Sequence, residues 1–258
     1  MKIDRVLDRL DALLAAKNYT GAEAHLLFWL REAEACGDAA AELTVLNELM
    51  GFYRKQGDRA QATKYANFAL DRYGIDPEFN GTVFFATTCL NAATVCEAFG
   101  ENDRALELYR RCEAIYERRL DPEDLRFAGL LNNMGLALVE AGQYGAAYNA
   151  FSRAIQIQEP LGISTAPDRA VTYLNLCDLI DAGYMPEKTG FTEPADLIDS
   201  YIESAYALLT DQQTEKNAYY AFVCEKCAPV FGYYGYFLYR QCITSEAEKV
   251  NVQYASRE

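Results

Sequence analysis

The residues with the most recognisable chemistry are two cysteines in the segment CEKC, Cys224 and Cys227. Cysteines at this spacing occur in zinc sites and in redox-active pairs. A zinc site needs about four ligands, whereas the chain has one histidine, His25, and no second cysteine pair with this spacing. A redox pair would need a βαβ context, and the surrounding sequence has a helical pattern. Burial in a helical core is therefore the predicted role of both thiols.

The rest of the sequence offers no other catalytic arrangement. It contains no nucleophile paired with a base, no glycine-rich phosphate loop and no set of metal ligands, which predicts a protein that is not an enzyme and has no cofactor. The net charge of −14 argues against nucleic acid or an anionic membrane as a partner. The first residues, MKIDRVLDRLDALL, lack the apolar run of a signal peptide, and no apolar stretch reaches the ~18 residues that span a bilayer. With eight scattered cysteines, the expected location is the reducing cytoplasm.

A second group of polar residues recurs at a constant interval. Asn91, Asn133 and Asn175 are each separated by 42 residues. Asparagine is a mediocre helix former, so local helix stability does not require it there. Its side-chain amide can donate to and accept from a peptide backbone at once. The spacing predicts a ladder of amides, provided that the elements carrying them also repeat.

The elements that carry these asparagines do repeat. A pattern of large and small residues over 131–154 recurs at 89–112 and at 46–69. The alanine that opens the second half of each copy lies at positions 62, 105 and 147, at intervals of 43 and 42. Gly135 lies inside the first half, where glycine costs a helix about 0.5–1 kcal/mol relative to alanine. A glycine in this place predicts that two helices cross closely there.

This pattern resembles the tetratricopeptide repeat (TPR), in the longer variety of about 42 residues found in kinesin light chain and in Rap-type bacterial regulators. The resemblance implies an all-α fold, an α-α superhelix or TPR solenoid of about six antiparallel helix pairs, in a single domain over 1–258. Within it, Asp-Pro motifs separate some of the units, because proline does not continue a preceding helix. The expected repeats are 1–36, 39–73, 82–119, 124–159, 167–210 with a loop insertion at 183–196, and a capping pair at 214–250.

The resemblance also implies where a ligand would bind. In such repeats the first helix of each pair lines a concave groove, and asparagines on it contact extended peptides. The predicted peptide-binding residues are Glu48, Asn91, Asn132, Asn133, Asn175, Asp178, Arg54 and Lys55. The face is mostly acidic, which favours a basic or mixed-charge protein or peptide partner. In the alternative interpretation, the asparagines are solvated or hold neighbouring helices in register.

Two segments outside the central repeats have open roles. The insertion 183–196 is either a tolerated surface loop or a functional one. The segment 219–239 is rich in tyrosine and phenylalanine, which fits either a capping pair or a homodimer interface. The leading functional hypothesis is a non-enzymatic scaffold that binds a peptide in its groove. The alternatives are a peptide-responsive regulator and a protein that self-assembles through its aromatic C-terminal pair.

Overall fold

The computed structural model describes residues 2–187 and 190–255, and these residues are predominantly α-helical. Their twelve α-helices follow one another in antiparallel pairs, which confirms the all-α prediction. The chain divides into two compact units, 1–121 and 122–258. The prediction of one domain over the whole chain stays a prediction. None of the described helices is long and apolar enough to cross a membrane.

The first unit contains three helix pairs, whose limits follow from local sequence signals. Polar side chains cap several helices: Asp38 accepts from the Ala41 amide at 3.1 Å, and Asp58 accepts from the Gln61 amide at 3.0 Å. These bonds satisfy backbone donors that have no partner within the helix. The helices are α1 (Ile3–Ala15), α2 (Tyr19–Cys36), α3 (Ala39–Lys55), α4 (Arg59–Tyr73), α5 (Val83–Ala98) and α6 (Asn102–Arg119).

The second unit contains the other three pairs. The helices are α7 (Leu125–Glu140), α8 (Tyr144–Gln158), α9 (Ala166–Asp181), α10 (Pro194–Thr210), α11 (Ala218–Tyr233) and α12 (Phe237–Ala255). A 3₁₀ segment, Glu159–Thr165, joins α8 to α9. The turn after α7 contains Gly142 with φ 69°, a left-handed conformation that glycine adopts without steric cost. The last helix ends later than the predicted limit of 250.

The glycine inside α7 lies at the predicted helix crossing. A β-carbon on Gly135 would overlap the aromatic ring of Phe151 on α8. Both residues are buried, and Phe151 has no exposed surface. The missing side chain therefore lets the two helices approach with the ring between them, so closer packing offsets the unfavourable helix propensity of glycine.

The aromatic C-terminal pair packs within its own unit against α9 and α10. Its phenol groups donate hydrogen bonds to aspartates: Tyr234 to Asp178 at 3.0 Å and Tyr236 to Asp199 at 2.7 Å. Tyr233 donates in the same way to Asp181 at 3.0 Å. Tyrosine suits this role because its ring packs while its hydroxyl reaches a polar partner. Much of the tyrosine content of 219–239 thus serves packing between successive pairs.

The cysteines of CEKC lie in the core of the second unit. Cys224 and Cys227 are buried among Tyr220 and Phe231. Burial raises the pKa of the Cys224 thiol to about 11 and that of Cys227 to about 12. Among the described residues, no group of three or more potential metal ligands comes together. The predicted packing role of both thiols agrees with this environment.

The predicted insertion at 183–196 falls on the connection between α9 and α10, which is non-helical in the described residues up to 193, whereas 194–196 belong to α10. The connection runs from the turn at Ala182 and Gly183 to Glu193, before Pro194 opens α10. Its residues 188 and 189 lie outside the described residues. Tyr184 packs against Tyr148 of α8, with ring centroids 5.7 Å apart, so the start of the insertion is attached to the preceding pair.

Candidate functional site

In the first unit, a buried asparagine joins the first helices of two successive pairs. Asn47 on α3 donates its amide to the Leu43 carbonyl at 2.9 Å and to the Thr88 hydroxyl on α5 at 3.1 Å. Its carbonyl oxygen accepts from the Asn91 amide at 3.0 Å. The side-chain oxygen of Asn47 and its amide nitrogen are therefore both engaged inside the protein. Glu48, which was predicted to line the groove, is the next residue along α3.

The second unit repeats this arrangement on α7 and α9. The Asn132 carbonyl oxygen accepts from the Thr172 hydroxyl at 3.1 Å and from the Asn175 amide at 2.9 Å. The predicted ladder placed Asn133 at this position, whereas the structure brings Asn132 to Asn175. The interhelical bonds are those expected of asparagines that hold neighbouring helices in register. They leave the amide nitrogen of Asn132 and the whole side-chain amide of Asn133 without an internal hydrogen bond in the described residues.

The charged residues predicted for the groove occupy different environments. Burial raises the pKa of the Glu48 carboxyl, and the nearby Asp11 carboxylate raises it further. Arg54 is half-buried and Lys55 is exposed, and both lie in the last turn of α3, where positive charge is favourable. In the second unit, burial raises the pKa of Asp178, which the Tyr234 hydroxyl contacts. Asp178 is therefore occupied by a contact within the unit.

A groove of about 550 Å³ opens in the second unit beside Asn132 and Asn133. It is lined by the first helices of three successive pairs, α7, α9 and α11, which is the surface that the resemblance assigns to a ligand. Its volume lies in the range of pockets that hold small molecules or peptide segments. The residues that give it chemical character are Asn132, Asn133, Gln158, Asp168, Thr172, Tyr219, Phe222 and Lys226.

Gln158 gives this groove an unusual polar group. This residue is 5% exposed, and its carbonyl oxygen Oε1 has no hydrogen-bond partner among the described residues. A buried acceptor without a partner costs about 1–3 kcal/mol, so such groups are rare. A donor entering the groove, such as a peptide N–H, would satisfy it. Gln158 is the last residue of α8, and no feature of the repeat pattern pointed to it.

The opposite wall of the groove combines aromatic and charged residues. Phe222 is 48% exposed, and the Lys226 ammonium lies 4.8 Å from the centre of its ring. Tyr219 donates its hydroxyl to Asp168 at 2.5 Å, which fixes the position of both side chains. The groove therefore combines an apolar surface, a cation and a carboxylate with the side-chain amides of Asn132 and Asn133. This mixed character suits a peptide more than a strongly charged ligand.

Comparisons with known proteins identify the fold. No family model matches the chain, and no curated protein matches it in sequence. Among solved structures, BtubC (BKLC) from P. vanneervenii is similar with a TM-score of 0.58 and 16% identity, over 99% of this chain and 93% of that chain.

A putative kinesin light chain from Podosopora anserina with nearly identical TPR-like repeats is similar with a TM-score of 0.58 and 15% identity. That match covers 83% of this chain and 97% of that one. A single-substitution variant of the same protein gives a TM-score of 0.59 at 15% identity, over 85% of this chain and 98% of that one. The chain therefore has a TPR-type repeat fold, as the sequence pattern predicted.

Proposed function

We propose that this protein is a non-enzymatic interaction scaffold and that the groove of its second unit binds an extended peptide. The fold supports the broader part of this proposal, because stacked helix pairs present extended surfaces for partners. The observation that carries the finer part is that two residues lining the same groove, Gln158 with a carbonyl oxygen and Asn133 with a side-chain amide, have these groups without a hydrogen-bond partner among the described residues. Together they offer an acceptor and a donor to one peptide backbone.

The wall formed by α11 determines which side chains such a peptide would carry. Phe222 offers a half-exposed ring for an apolar or aromatic side chain. Lys226 and Asp168 lie near it and favour a peptide of mixed charge. Asn175 contributes indirectly, because its bond to Asn132 fixes the side chain that borders the groove. We assign no direct ligand contact to Asp178.

The experiment is a selection from a displayed random-peptide library, followed by fluorescence polarisation with the recovered peptides. Asn133→Ala and Gln158→Met should each weaken binding about tenfold, since each removes a hydrogen bond that the ligand makes. Asn149→Ala is the matched control, because Asn149 is an exposed asparagine on α8 that does not line the groove. A library that yields no saturable binder, or binders indifferent to both groove substitutions, would refute the assignment.

Self-association through the C-terminal pair is a second candidate function. Tyr233, Phe237 and Leu238 are 72%, 67% and 78% exposed, and they lie around the turn between α11 and α12. A group of exposed apolar residues favours burial against another surface. Sedimentation velocity over a range of concentrations tests this: the wild type should gain mass with concentration, and a Phe237→Asp, Leu238→Asp variant should remain monomeric. A wild type that stays monomeric throughout excludes this candidate.

A further inference from the structure

The first helix, α1, separates its charges into two stripes. Asp4, Asp8 and Asp11 recur at helical spacing on one face, and Lys2, Arg5 and Arg9 recur on another. The third face carries the buried residues of the helix, beginning with Val6, and the basic stripe borders it. The two sets of charges therefore do not neutralise each other along the helix. Within the described residues, neither Arg5 nor Arg9 takes part in an ion pair.

The basic stripe faces a cavity of about 570 Å³ between α1 and α2. Residues of α2 at helical spacing form the other side of the cavity: His25, Trp29, Glu32 and Cys36. The cavity lies within the first helix pair and is separate from the groove of the second unit. Its volume is that of a site for a small molecule.

The ring residues of this cavity have fixed positions. The His25 Nε2 atom lies 2.9 Å from the Val6 carbonyl oxygen, and because a carbonyl only accepts, this nitrogen donates. The Trp29 ring packs edge-on against His25, with centroids 6.3 Å apart, and against Phe28, at 5.2 Å. The indole is half-buried and therefore presents a rigid apolar wall. Three cations and one carboxylate, Glu32, surround it.

We propose that this cavity binds a small anion with an aromatic or apolar body, whose carboxylate or phosphate group pairs with Arg5 and Arg9. The apolar body would pack on the half-buried Trp29 ring, which removes its remaining exposed surface from water. The anionic group would engage guanidinium groups that have no partner in the described residues and that form charge-assisted hydrogen bonds with such anions. A neutral ligand gains only the burial of apolar surface, and an inorganic anion gains only the hydrogen bonds to the guanidinium groups.

Trp29 supplies the readout, because it is the single tryptophan of the chain and it lines the cavity. Its fluorescence is titrated with phenyl phosphate and with 3-phenylpropionate, two probes that separate a phosphate from a carboxylate ligand. We expect a saturable change with at least one of them. That probe should bind about tenfold more tightly than 3-phenylpropionamide, the uncharged counterpart of 3-phenylpropionate, and than inorganic phosphate.

The variants distinguish the cavity from general charge effects. Arg5→Gln with Arg9→Gln should weaken binding of the anionic probe at least tenfold. Arg31→Gln is the control, because Arg31 is an exposed arginine on α2 that does not line the cavity, and it should leave the affinity unchanged. Circular dichroism checks the fold of each variant. If the double variant does not fold, a Trp29→Phe protein is titrated by calorimetry instead. This protein keeps an aromatic wall and should retain binding of the anionic probe.

Several results would overturn the proposal. One is the absence of a saturable change with both anionic probes. A second is equal binding of 3-phenylpropionamide, which would make the cavity merely apolar. Equal binding of inorganic phosphate would make it a simple anion patch. Binding of hexaglutamate without binding of either phenyl probe would assign the surface to an acidic peptide instead. Unchanged affinity in the folded Arg5→Gln, Arg9→Gln variant would show that the probes bind elsewhere.

Discussion

The Asn175 amide donates to the Asn132 carbonyl oxygen at 2.9 Å, and the Asn91 amide donates to the Asn47 carbonyl oxygen at 3.0 Å. Each bond joins the first helices of two successive pairs within one unit. An oxygen used in this way has less capacity to accept from a ligand. Asn91 and Asn175 of the predicted ladder therefore have a structural role, whereas Asn133 makes no side-chain hydrogen bond within the described residues.

We expect Asn47→Ala to lower the free energy of unfolding by about 1–3 kcal/mol, because it leaves the Asn91 amide without its acceptor in a half-buried position. Urea denaturation followed by circular dichroism measures the change. Asn80→Ala, in an exposed turn of the same unit, is the control and should change stability by less than about 0.5 kcal/mol. A loss from Asn47→Ala no larger than that of the control would remove the structural role.

The repeat pattern was sufficient to predict the helices but not the rotation of each helix about its axis. The predicted groove residues include Glu48 and Asn133, whereas the asparagines that accept the interhelical bonds are Asn47 and Asn132. One residue along a helix turns the side chain by about 100°, so this difference depends on tertiary packing. A leucine immediately precedes each of the four bonded asparagines, and this Leu-Asn dipeptide is the sequence signal that identifies them.

Gln158 was missed for a different reason. It lies at the end of a second helix, α8, where the repeat pattern assigns no ligand contact. It lines the groove at the point where the chain leaves α8 and enters a 3₁₀ segment before α9 begins. Such an irregular connection has no periodic signature. The existence of a groove was predictable from the fold. The unpartnered oxygen of Gln158 in that groove is apparent only from the three-dimensional structure.

Gly135→Ala should destabilise the protein by about 1–3 kcal/mol, because the new methyl group would overlap the buried Phe151 ring. Helix propensity alone predicts the opposite sign. Gly129→Ala, in the same helix but with open space around the added carbon, should stabilise it by about 0.5–1 kcal/mol. Thermal and urea unfolding of the two variants measure both effects. Equal stabilisation by both alanines would show that α7 and α8 can separate without cost.

The buried carboxyl of Glu42 should make stability depend on pH. Burial raises its pKa, and the Arg72 guanidinium at 3.1 Å lowers it in part; Tyr73 and Glu34 also face it. Between the ordinary value of 4.5 and the raised value, the folded state binds more protons than the unfolded state. Stability due to this group therefore falls as pH rises through that window.

Glu42→Gln removes this titration, so its stability relative to the wild type should increase as pH rises from about 4.5. Urea unfolding at several pH values measures the difference in the free energy of unfolding between the two proteins. Taking this difference cancels the contribution of the other titratable groups. Glu107→Gln, at an exposed position on α6, is the control and should give a constant difference. A constant difference for Glu42→Gln as well would show that Arg72 compensates for the burial.

The cysteines should react at very different rates with a thiol reagent such as dithionitrobenzoate. Cys36 is exposed, whereas Cys224 and Cys227 are buried, with pKa values raised to about 11 and 12. Only the thiolate reacts, so burial and the raised pKa both slow the reaction. We expect one rapid phase in the native protein, lost in Cys36→Ser, a slower phase from the half-buried Cys242, and reaction of the CEKC thiols only on unfolding. Rapid reaction of two thiols in Cys36→Ser, or its suppression by zinc, would reassign Cys224 and Cys227 from packing to chemistry.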